Sequence, residues 1–123
     1  MRIHEIARSS ERFTVFNGSS PAVAMSVAAG AHGAITASAN YAPSLVGRVV
    51  TAARRGKKSA DEQEQLTGLS RLVESRGIPG VKIAAEVAGL RPGLPRRPLL
   101  PLADDEGEKL RRSVAAIRHQ VLG

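Results

Sequence analysis

Residues 13–43 read FTVFNGSSPAVAMSVAAGAHGAITASANYAP, and the predicted architecture starts from this segment. Its first four residues are aromatic or β-branched and precede an Asn-Gly pair, which ends strands because both residues tolerate a positive φ. A helix can follow directly, since Ser19 and Ser20 are capping residues and Pro21 is tolerated in a first turn. The pattern therefore predicts a strand over residues 13–16 and then a short helix.

The predicted helix carries an apolar stripe and leads into a second strand. The stripe has the spacing i, i+1, i+4 and i+5 and consists of Val23, Ala24, Val27 and Ala28. Gly30 is the expected left-handed stop, and the small residues 34–38 predict a strand that ends before Asn40. A strand, a crossover helix and a strand form a βαβ unit, in which the two strands run parallel.

Helices are predicted on both sides of this unit. Upstream, apolar residues at i, i+3 and i+4 predict a short helix over residues 2–9. Downstream, Ser44 can cap a helix that closes at Gly56. The apolar residues of that helix are Leu45, Val46, Val49, Val50 and Ala53. Residues 1–58 are therefore interpreted as one αβαβα block.

Residues 59–123 predict only helices and their connections. Ser59 with a Glu three residues later matches a capping box, and the helix that it starts ends near Gly77. A second, short helix follows, and a third begins at the acidic run from Asp104. Residues 91–103 contain four prolines and predict an extended, ordered connector whose leucines pack on neighbouring elements. These leucines are Leu94, Leu99, Leu100 and Leu102.

The composition is that of an ordinary globular chain and excludes several kinds of chemistry. Of the 123 residues, 42% are hydrophobic and 24% are charged, which is typical of one domain. Because cysteine is absent, the chain has no disulfide, thiolate nucleophile or cysteine-bound zinc. No run approaches the ~18 apolar residues of a membrane span, and the first residues lack a signal-peptide core, so we expect a cytoplasmic protein with no membrane partner.

The net charge of +7 leaves a second interpretation open. A basic chain of this size can be a small stand-alone module that binds nucleic acid or phosphate. The basic residues, however, lie mostly at helix ends or among acids, where they complement the helix dipole. Their distribution argues against nucleic acid as a partner.

Two parallel strands cannot cover both faces of their own sheet. Either the helices carry the fold alone, or the αβαβα block belongs to a larger parallel sheet or barrel. A complete (β/α)8 barrel needs roughly 250 residues, about twice the length of this chain. A truncated product, one half of a split barrel completed by another polypeptide, and an independent fold all stay open at this point.

Four motifs resemble, in order and spacing, the C-terminal portion of the dihydrodipicolinate synthase and N-acetylneuraminate lyase family. They are FTVFNG at 13–18, AGAHGAITASAN at 29–40, IPGVKIAAEVAG at 78–89 and RPLLPL at 97–102. The resemblance covers essentially the whole chain, and four ordered matches are far more specific than any one of them.

The resemblance implies an α/β fold, the C-terminal part of a (β/α)8 TIM barrel followed by a helical extension. It makes residues 1–58 the last two βα units, with the seventh and eighth strands, and residues 59–123 the extension. The implied function is a class I lyase, an aldolase in which pyruvate or another 2-oxo acid forms a Schiff base with a lysine of the sixth strand. That lysine would precede Met1, so this chain alone should be inactive. We expect no cofactor, no metal and no catalytic residue here, and a homo-oligomer for the intact enzyme.

Substrate contacts are expected at the C-terminal ends of the strands, where barrel enzymes work. The resemblance implies that Gly18 lets a carboxylate approach the backbone and that Ile35 offers main-chain contacts to the keto acid. From the residues themselves, Ser19 and Ser20 with the following N–H groups form a turn suited to a carboxylate or a phosphate. The family often has acids after this glycine, so the serines leave the substrate's identity open. A plain strand-to-helix turn is the alternative interpretation.

Lys82, Tyr41 and the histidines receive no catalytic role. Lys82 resembles a strand-end amine of the kind that forms imines, but Pro79 and the apolar stripe after it favour a helix, and the family motif puts this lysine in the extension. The family's proton-relay tyrosine belongs to an earlier strand, so that role is not assigned to Tyr41. Three histidines lack a partner at metal-binding spacing and are interpreted as structural or solvent-facing: His4, His32 and His119.

Overall fold

A computed structural model describes residue 5 and residues 12–121, and for residues 119–121 it describes the backbone only. The helix predicted over residues 2–9 falls outside this described part. Between residues 12 and 121 the chain forms two short strands, two 3-10 helices and five α-helices. None of the helices in the described ranges is both long enough and apolar enough to cross a bilayer.

The predicted βαβ unit is present. Strand β1 (Phe16–Asn17) pairs in parallel with strand β2 (Gly33–Ala34), first residue with first and second with second. The crossover consists of a 3-10 helix (Ser20–Ala22) and helix α1 (Val23–Ala28). It ends at Gly30, whose φ of 108° is the left-handed stop that the sequence predicts.

Both strands are shorter than predicted and both are displaced: the first ends one residue later, at Asn17, and the second begins one residue earlier, at Gly33. Residues 13–15 lie outside β1, and residues 35–38 lie outside β2, where a 3-10 helix (Ala37–Asn40) replaces the end of the expected strand. The reason is local hydrogen bonding, because the amides of Ala39 and Tyr41 donate to carbonyl oxygens three residues earlier rather than to a neighbouring strand.

Helix α3 (Ala60–Glu74) begins where the sequence predicts. Helix α2 (Pro43–Arg54) begins two residues early: Ala42 is its N-cap, and Ser44, predicted as the cap, lies inside the first turn because Pro43 takes the first helical position. Neither helix has a side-chain capping hydrogen bond. The prediction of a capping box at Ser59 is wrong. The Ser59 side chain makes no capping hydrogen bond, and the Ser59 ψ of 29° departs from the extended backbone that a capping residue adopts. Ser19 precedes the first 3-10 helix, also without a side-chain bond. Its hydroxyl has no donor to bind there, since Pro21 lacks an N–H and the Ala22 amide donates to the Ser19 carbonyl oxygen.

Helix α4 (Gly77–Val87) and helix α5 (Asp104–Val121) flank the proline-rich connector. The prediction that its leucines pack on neighbouring elements is wrong for three of the four. The prolines keep the segment extended over the surface, so only Leu102, next to α5, packs against the core. The other three are exposed, by 77% at Leu94, 41% at Leu99 and 71% at Leu100.

One continuous core joins the βαβ unit to the helices that follow it. It takes residues from each of the five α-helices between residues 12 and 121, among them Val23, Leu45, Val49, Leu66, Val73, Ala84 and Leu110. Helices α3 and α4 meet closely at Gly80, where a Cβ atom would overlap the carbonyl oxygen of Val73. A glycine is therefore required at this contact.

The helices within residues 12–121 cover only one face of the strand pair. On the covered face, Asn17 is buried and bonded to Ser26 of α1. On the opposite face, the ring of Phe16 lies beside Gly33, 51% exposed, and Ile35 is 69% exposed. Parallel sheets are normally covered on both faces, so this apolar face has no counterpart in the described part of the chain.

Candidate substrate site at the strand ends

The carboxyl ends of the two strands lie side by side, as parallel pairing requires. Directly after the strands, the Ile35 amide donates a hydrogen bond to the Asn17 carbonyl oxygen at 2.8 Å. β1 leads into residues 18–20 and β2 into residues 35–41, which we call the strand-end loops. The fold therefore brings all four predicted substrate-binding residues to one edge of the sheet.

Gly18 and Ile35 are both open to a ligand. Gly18 is exposed, and a Cβ atom built there would meet no atom within 4 Å. Ile35 lies at the same edge, with its side chain on the uncovered face. The backbone at Gly18 is therefore accessible from the carboxyl ends of the strands, whereas the Ile35 amide is bonded to the Asn17 carbonyl oxygen.

The two serines have different surroundings. Ser19 is exposed, whereas Ser20 is 1% exposed. The Ser20 hydroxyl lies 2.8 Å from that of Ser38 and donates to Oε1 of Glu74 at 2.9 Å. Ser19 can thus meet a ligand directly, while the hydroxyl of Ser20 is occupied by internal partners.

Asn17 fixes the loop that follows β1, a role that the sequence did not indicate. Its side-chain amide donates to the Ser19 carbonyl oxygen at 2.6 Å, and its Oδ1 accepts from the Ser26 hydroxyl at 3.1 Å. A side chain that satisfies its own turn in this way is common for asparagine, which is the signal available in the Asn-Gly pair. The strand-end loop is held from both the strand and helix α1.

A buried polar cluster underlies the two strand-end loops. Its members are Ser20, Thr36, Ser38, Tyr41 and Glu74. The Ser38 hydroxyl lies 2.8 Å from the Ser20 hydroxyl and 2.8 Å from the Thr36 hydroxyl. The Tyr41 hydroxyl donates to Glu74 Oε1 at 2.8 Å. The first four are buried, so their hydrogen bonds replace those that water would make.

The sequence-based predictions did not include this cluster, although the sequence contains features that indicate it. Thr36 and Ser38 alternate within a run of small apolar residues, and Tyr41 is the only tyrosine of the chain. Glu74 directly follows the buried Val73 at the end of α3 and is itself partly buried, a position where a charged residue needs a partner. Burial, followed by the hydrogen bond to Glu74 and its negative charge, raises the pKa of Tyr41 far above its ordinary value.

Lys82 and His32 have structural surroundings, as interpreted from the sequence. Lys82 lies within α4, and its Nζ donates to the Pro92 carbonyl oxygen at 2.7 Å. Nδ1 of His32 accepts from the Val15 amide at 3.0 Å, and the His32 amide donates to the Val15 carbonyl oxygen at 2.8 Å, next to the paired strands. The side chains of the other two histidines fall outside the described residues. The described residues contain no cluster of three or more His, Cys, Asp or Glu side chains that could hold a metal ion.

Curated relatives match most of this chain, and the chain spans about two fifths of their own length. The 4-hydroxy-tetrahydrodipicolinate synthase of Chlorobium limicola is 34% identical over 113 residues, which are 87% of this chain and 37% of the relative. The enzyme of the same name from Alkalilimnicola ehrlichii is 35% identical over 122 residues, 92% of this chain and 40% of the relative.

Solved structures share the fold over nearly the whole chain. The 2-keto-3-deoxygluconate aldolase of Sulfolobus solfataricus, in complex with D-KDPG, matches with a TM-score of 0.83 and 22% identity, over 96% of this chain and 42% of the aldolase. YagE from Escherichia coli K12, in complex with pyruvate, matches with a TM-score of 0.78 and 23% identity, over 94% of this chain and 41% of YagE. The predicted fold class is confirmed: the chain is α/β and forms part of a TIM barrel.

The family resemblance is tested most directly by a family model. The model of the dihydrodipicolinate synthetase family matches residues 1–117, which is nearly the whole chain. The motifs at 13–18, 29–40, 78–89 and 97–102 all lie within this match. The chain belongs to the dihydrodipicolinate synthetase family.

Proposed function

We propose that this chain is the C-terminal portion of a pyruvate-dependent class I lyase, which condenses or cleaves a 2-oxo acid through a lysine imine. Residues 1–58 are its last two βα units and residues 59–123 its helical extension. The uncovered apolar face of the strand pair is the observation that carries the proposal, because that face is where the remaining strands of a barrel would pack. The share of the relatives' length that the chain spans, 37–40%, supports the proposal that it is a portion of a longer enzyme.

The strand-end loops supply the substrate-binding part of the site. The exposed backbone at Gly18 leaves room for a carboxylate, and Ile35 presents main-chain atoms beside it. Ser19 offers a free surface for a further polar contact, and Ser20 contributes through the loop that its hydroxyl holds in place. The complexes of YagE with pyruvate and of the Sulfolobus aldolase with D-KDPG support a 2-oxo acid as the ligand.

The reacting amine is supplied from outside these 123 residues. A lysine attacks the 2-oxo carbon, water leaves, and the protonated imine accepts the electron pair of the carbon–carbon bond that breaks. Lys82 does not fit this role, since it lies in α4 and its ammonium is bonded to the Pro92 carbonyl oxygen. The isolated chain is therefore inactive, and the intact enzyme is a homo-oligomer that needs no cofactor. The cytoplasmic location stays a prediction.

Borohydride trapping tests the proposal. The chain is mixed with a polypeptide that carries the part of the Chlorobium limicola relative preceding the matched region, then with pyruvate and borohydride. We expect a reduced pyruvyl adduct on a lysine of the added polypeptide and none on the chain alone. The added polypeptide by itself is the control. An adduct on Lys82 in the isolated chain would overturn the assignment of the amine.

A salt titration separates this proposal from the alternative of a basic module. Binding of DNA or RNA that weakens steeply with salt would favour a nucleic-acid module, because each neutralised phosphate releases counterions. We expect no binding at low salt.

A further inference from the structure

We propose that Glu74 is a positioning residue, which holds both strand-end loops in place from the helical extension. This inference rests on the proposed function in one respect, that these loops bind a 2-oxo acid. The hydrogen bonds that position the loops do not depend on that claim. Glu74 is the last residue of α3, and its hydrogen-bond partners are Ser20 and Tyr41 rather than the open residues Gly18 and Ile35.

One carboxylate oxygen joins the two loops. Oε1 of Glu74 accepts a hydrogen bond from the Ser20 hydroxyl at 2.9 Å and another from the Tyr41 hydroxyl at 2.8 Å. Ser20 ends the first loop and Tyr41 ends the second. Both donors are at most 1% exposed, so water cannot replace the carboxylate without a rearrangement. Hydrogen bonds to a charged acceptor are among the stronger ones in proteins.

The backbone of the same two residues is held by other side chains of the extension. Nε2 of Gln63, on α3, donates to the Ser20 carbonyl oxygen at 3.0 Å, and Nη1 of Arg118, on α5, donates to the Tyr41 carbonyl oxygen at 2.7 Å. Oε1 of Gln63 also accepts from the Ala24 amide at 2.8 Å. Ser20 and Tyr41 are therefore each bound twice, once at the side chain and once at the carbonyl.

This arrangement gives the extension a function in the site that packing alone would not give it. The open residue Gly18 lies two positions before Ser20, and Ile35 lies six positions before Tyr41 in a loop that is also bonded through Thr36 and Ser38. Fixing the ends of both loops limits the conformations that the exposed backbone between them can reach. A backbone that is already ordered loses less conformational entropy when it binds a carboxylate.

The experiment compares amide hydrogen exchange in the isolated chain and three variants. Glu74→Ala removes the acceptor, whereas Glu74→Gln keeps an amide oxygen that can accept both bonds. Glu86→Ala is the matched control, because it removes an exposed glutamate whose hydrogen bond, from Arg111 at 3.0 Å, is remote from the loops.

The expected result is local. Glu74→Ala accelerates exchange at least tenfold at the four amides that close the turns around the loops, while Glu74→Gln and Glu86→Ala leave them within about twofold. These four amides are Ala22, Ala39, Tyr41 and Ala42. The amides of Lys57 and Leu90, which close helix ends elsewhere, should not change. Acceleration of all amides alike, or of none, would overturn the proposal.

Tyr41 supplies a second readout, since it is the only tyrosine and the chain has no tryptophan. A phenol that donates to a carboxylate has quenched fluorescence, so the emission of Glu74→Ala should rise and that of Glu86→Ala should not. If Glu74→Ala does not fold, Tyr41→Phe and Ser20→Ala each remove one bond to Glu74, and Ser20→Ala also removes the contact with the Ser38 hydroxyl. Tyr41→Phe should therefore accelerate exchange mainly in the second loop, and Ser20→Ala in both. Acceleration of the first loop by Tyr41→Phe as large as that of the second would refute separate anchoring. Failure of borohydride trapping would leave these results untouched.

Discussion

The hydroxyl of Tyr41 donates a hydrogen bond to Oε1 of Glu74 at 2.8 Å, which joins the turn after the second strand to the end of helix α3. The two residues are 33 positions apart in the chain. Through this bond, a side chain of the helical extension contributes to the surroundings of the strand ends.

Tyr41 should stay protonated for as long as the chain is folded. Burial, the hydrogen bond to Glu74 and the Glu74 charge raise its pKa above the ordinary value of 10.0. The folded state prefers the neutral phenol, and this preference contributes to the free energy of unfolding in full below about pH 10. As the pH rises above that value, the unfolded chain releases the proton and the contribution is lost.

A spectrophotometric titration checks this. The folded chain should show no tyrosinate absorbance until it unfolds, and the urea-unfolded chain should titrate near pH 10. In Tyr41→Phe the loss of stability above that pH should be smaller. A native chain that forms tyrosinate near pH 10 while remaining folded would contradict the buried hydrogen bond.

Asn17→Ala should destabilise the chain by about 1–3 kcal/mol, because it leaves the Ser26 hydroxyl without its buried acceptor and the first strand-end loop without its tether. Urea unfolding measures the change. Asn40→Ala is the matched control: its amide bonds to the Ala37 carbonyl oxygen at an exposed position, and the expected change is below about 0.5 kcal/mol. Equal effects would show that the burial of Asn17 does not matter.

Gly80→Ala should destabilise the contact between α3 and α4, since the added Cβ would overlap the Val73 carbonyl oxygen and lie 2.8 Å from the Arg76 Cβ. Overpacking of this kind costs about 1–3 kcal/mol. Gly68→Ala is the control on the exposed face of α3, where a Cβ meets nothing within 4 Å. It should stabilise the helix by about 0.5–1 kcal/mol. Urea midpoints that move in the same direction for both variants would contradict the close approach.

Phe16→Ser and Ile35→Ser should prevent assembly with the preceding barrel units while changing the stability of the isolated chain by less than about 0.5 kcal/mol. The side chains are exposed in the chain alone but would be buried by the rest of a barrel. Assembly is measured by sedimentation of each variant mixed with the polypeptide used in the borohydride experiment, which carries the preceding part of the Chlorobium limicola relative. Met25→Ser, 62% exposed on helix α1, should assemble like the unsubstituted chain. Normal assembly of the Phe16 and Ile35 variants would argue against this face as the contact.

Local patterns predicted the order of the elements and several of their ends. Gly30 and Gly56 end helices with positive φ, at 108° and 63°, because a glycine in this conformation is a property of the few residues around it. The side-chain caps at Ser19 and Ser59 did not form, since a cap depends on backbone angles that neighbouring elements also determine.

By itself, the sequence determined the βαβ unit, the family and the positions of the four predicted contact residues, because spacing and motif order are local or linear properties of the chain. Tertiary structure alone decided which hydroxyls stay free. Ser20 and Ser19 are adjacent in sequence, yet only Ser20 is taken up by Glu74, which lies 54 positions away. Packing of α3 against the strand ends brings that carboxylate to the loops, and no pattern within one element encodes the contact.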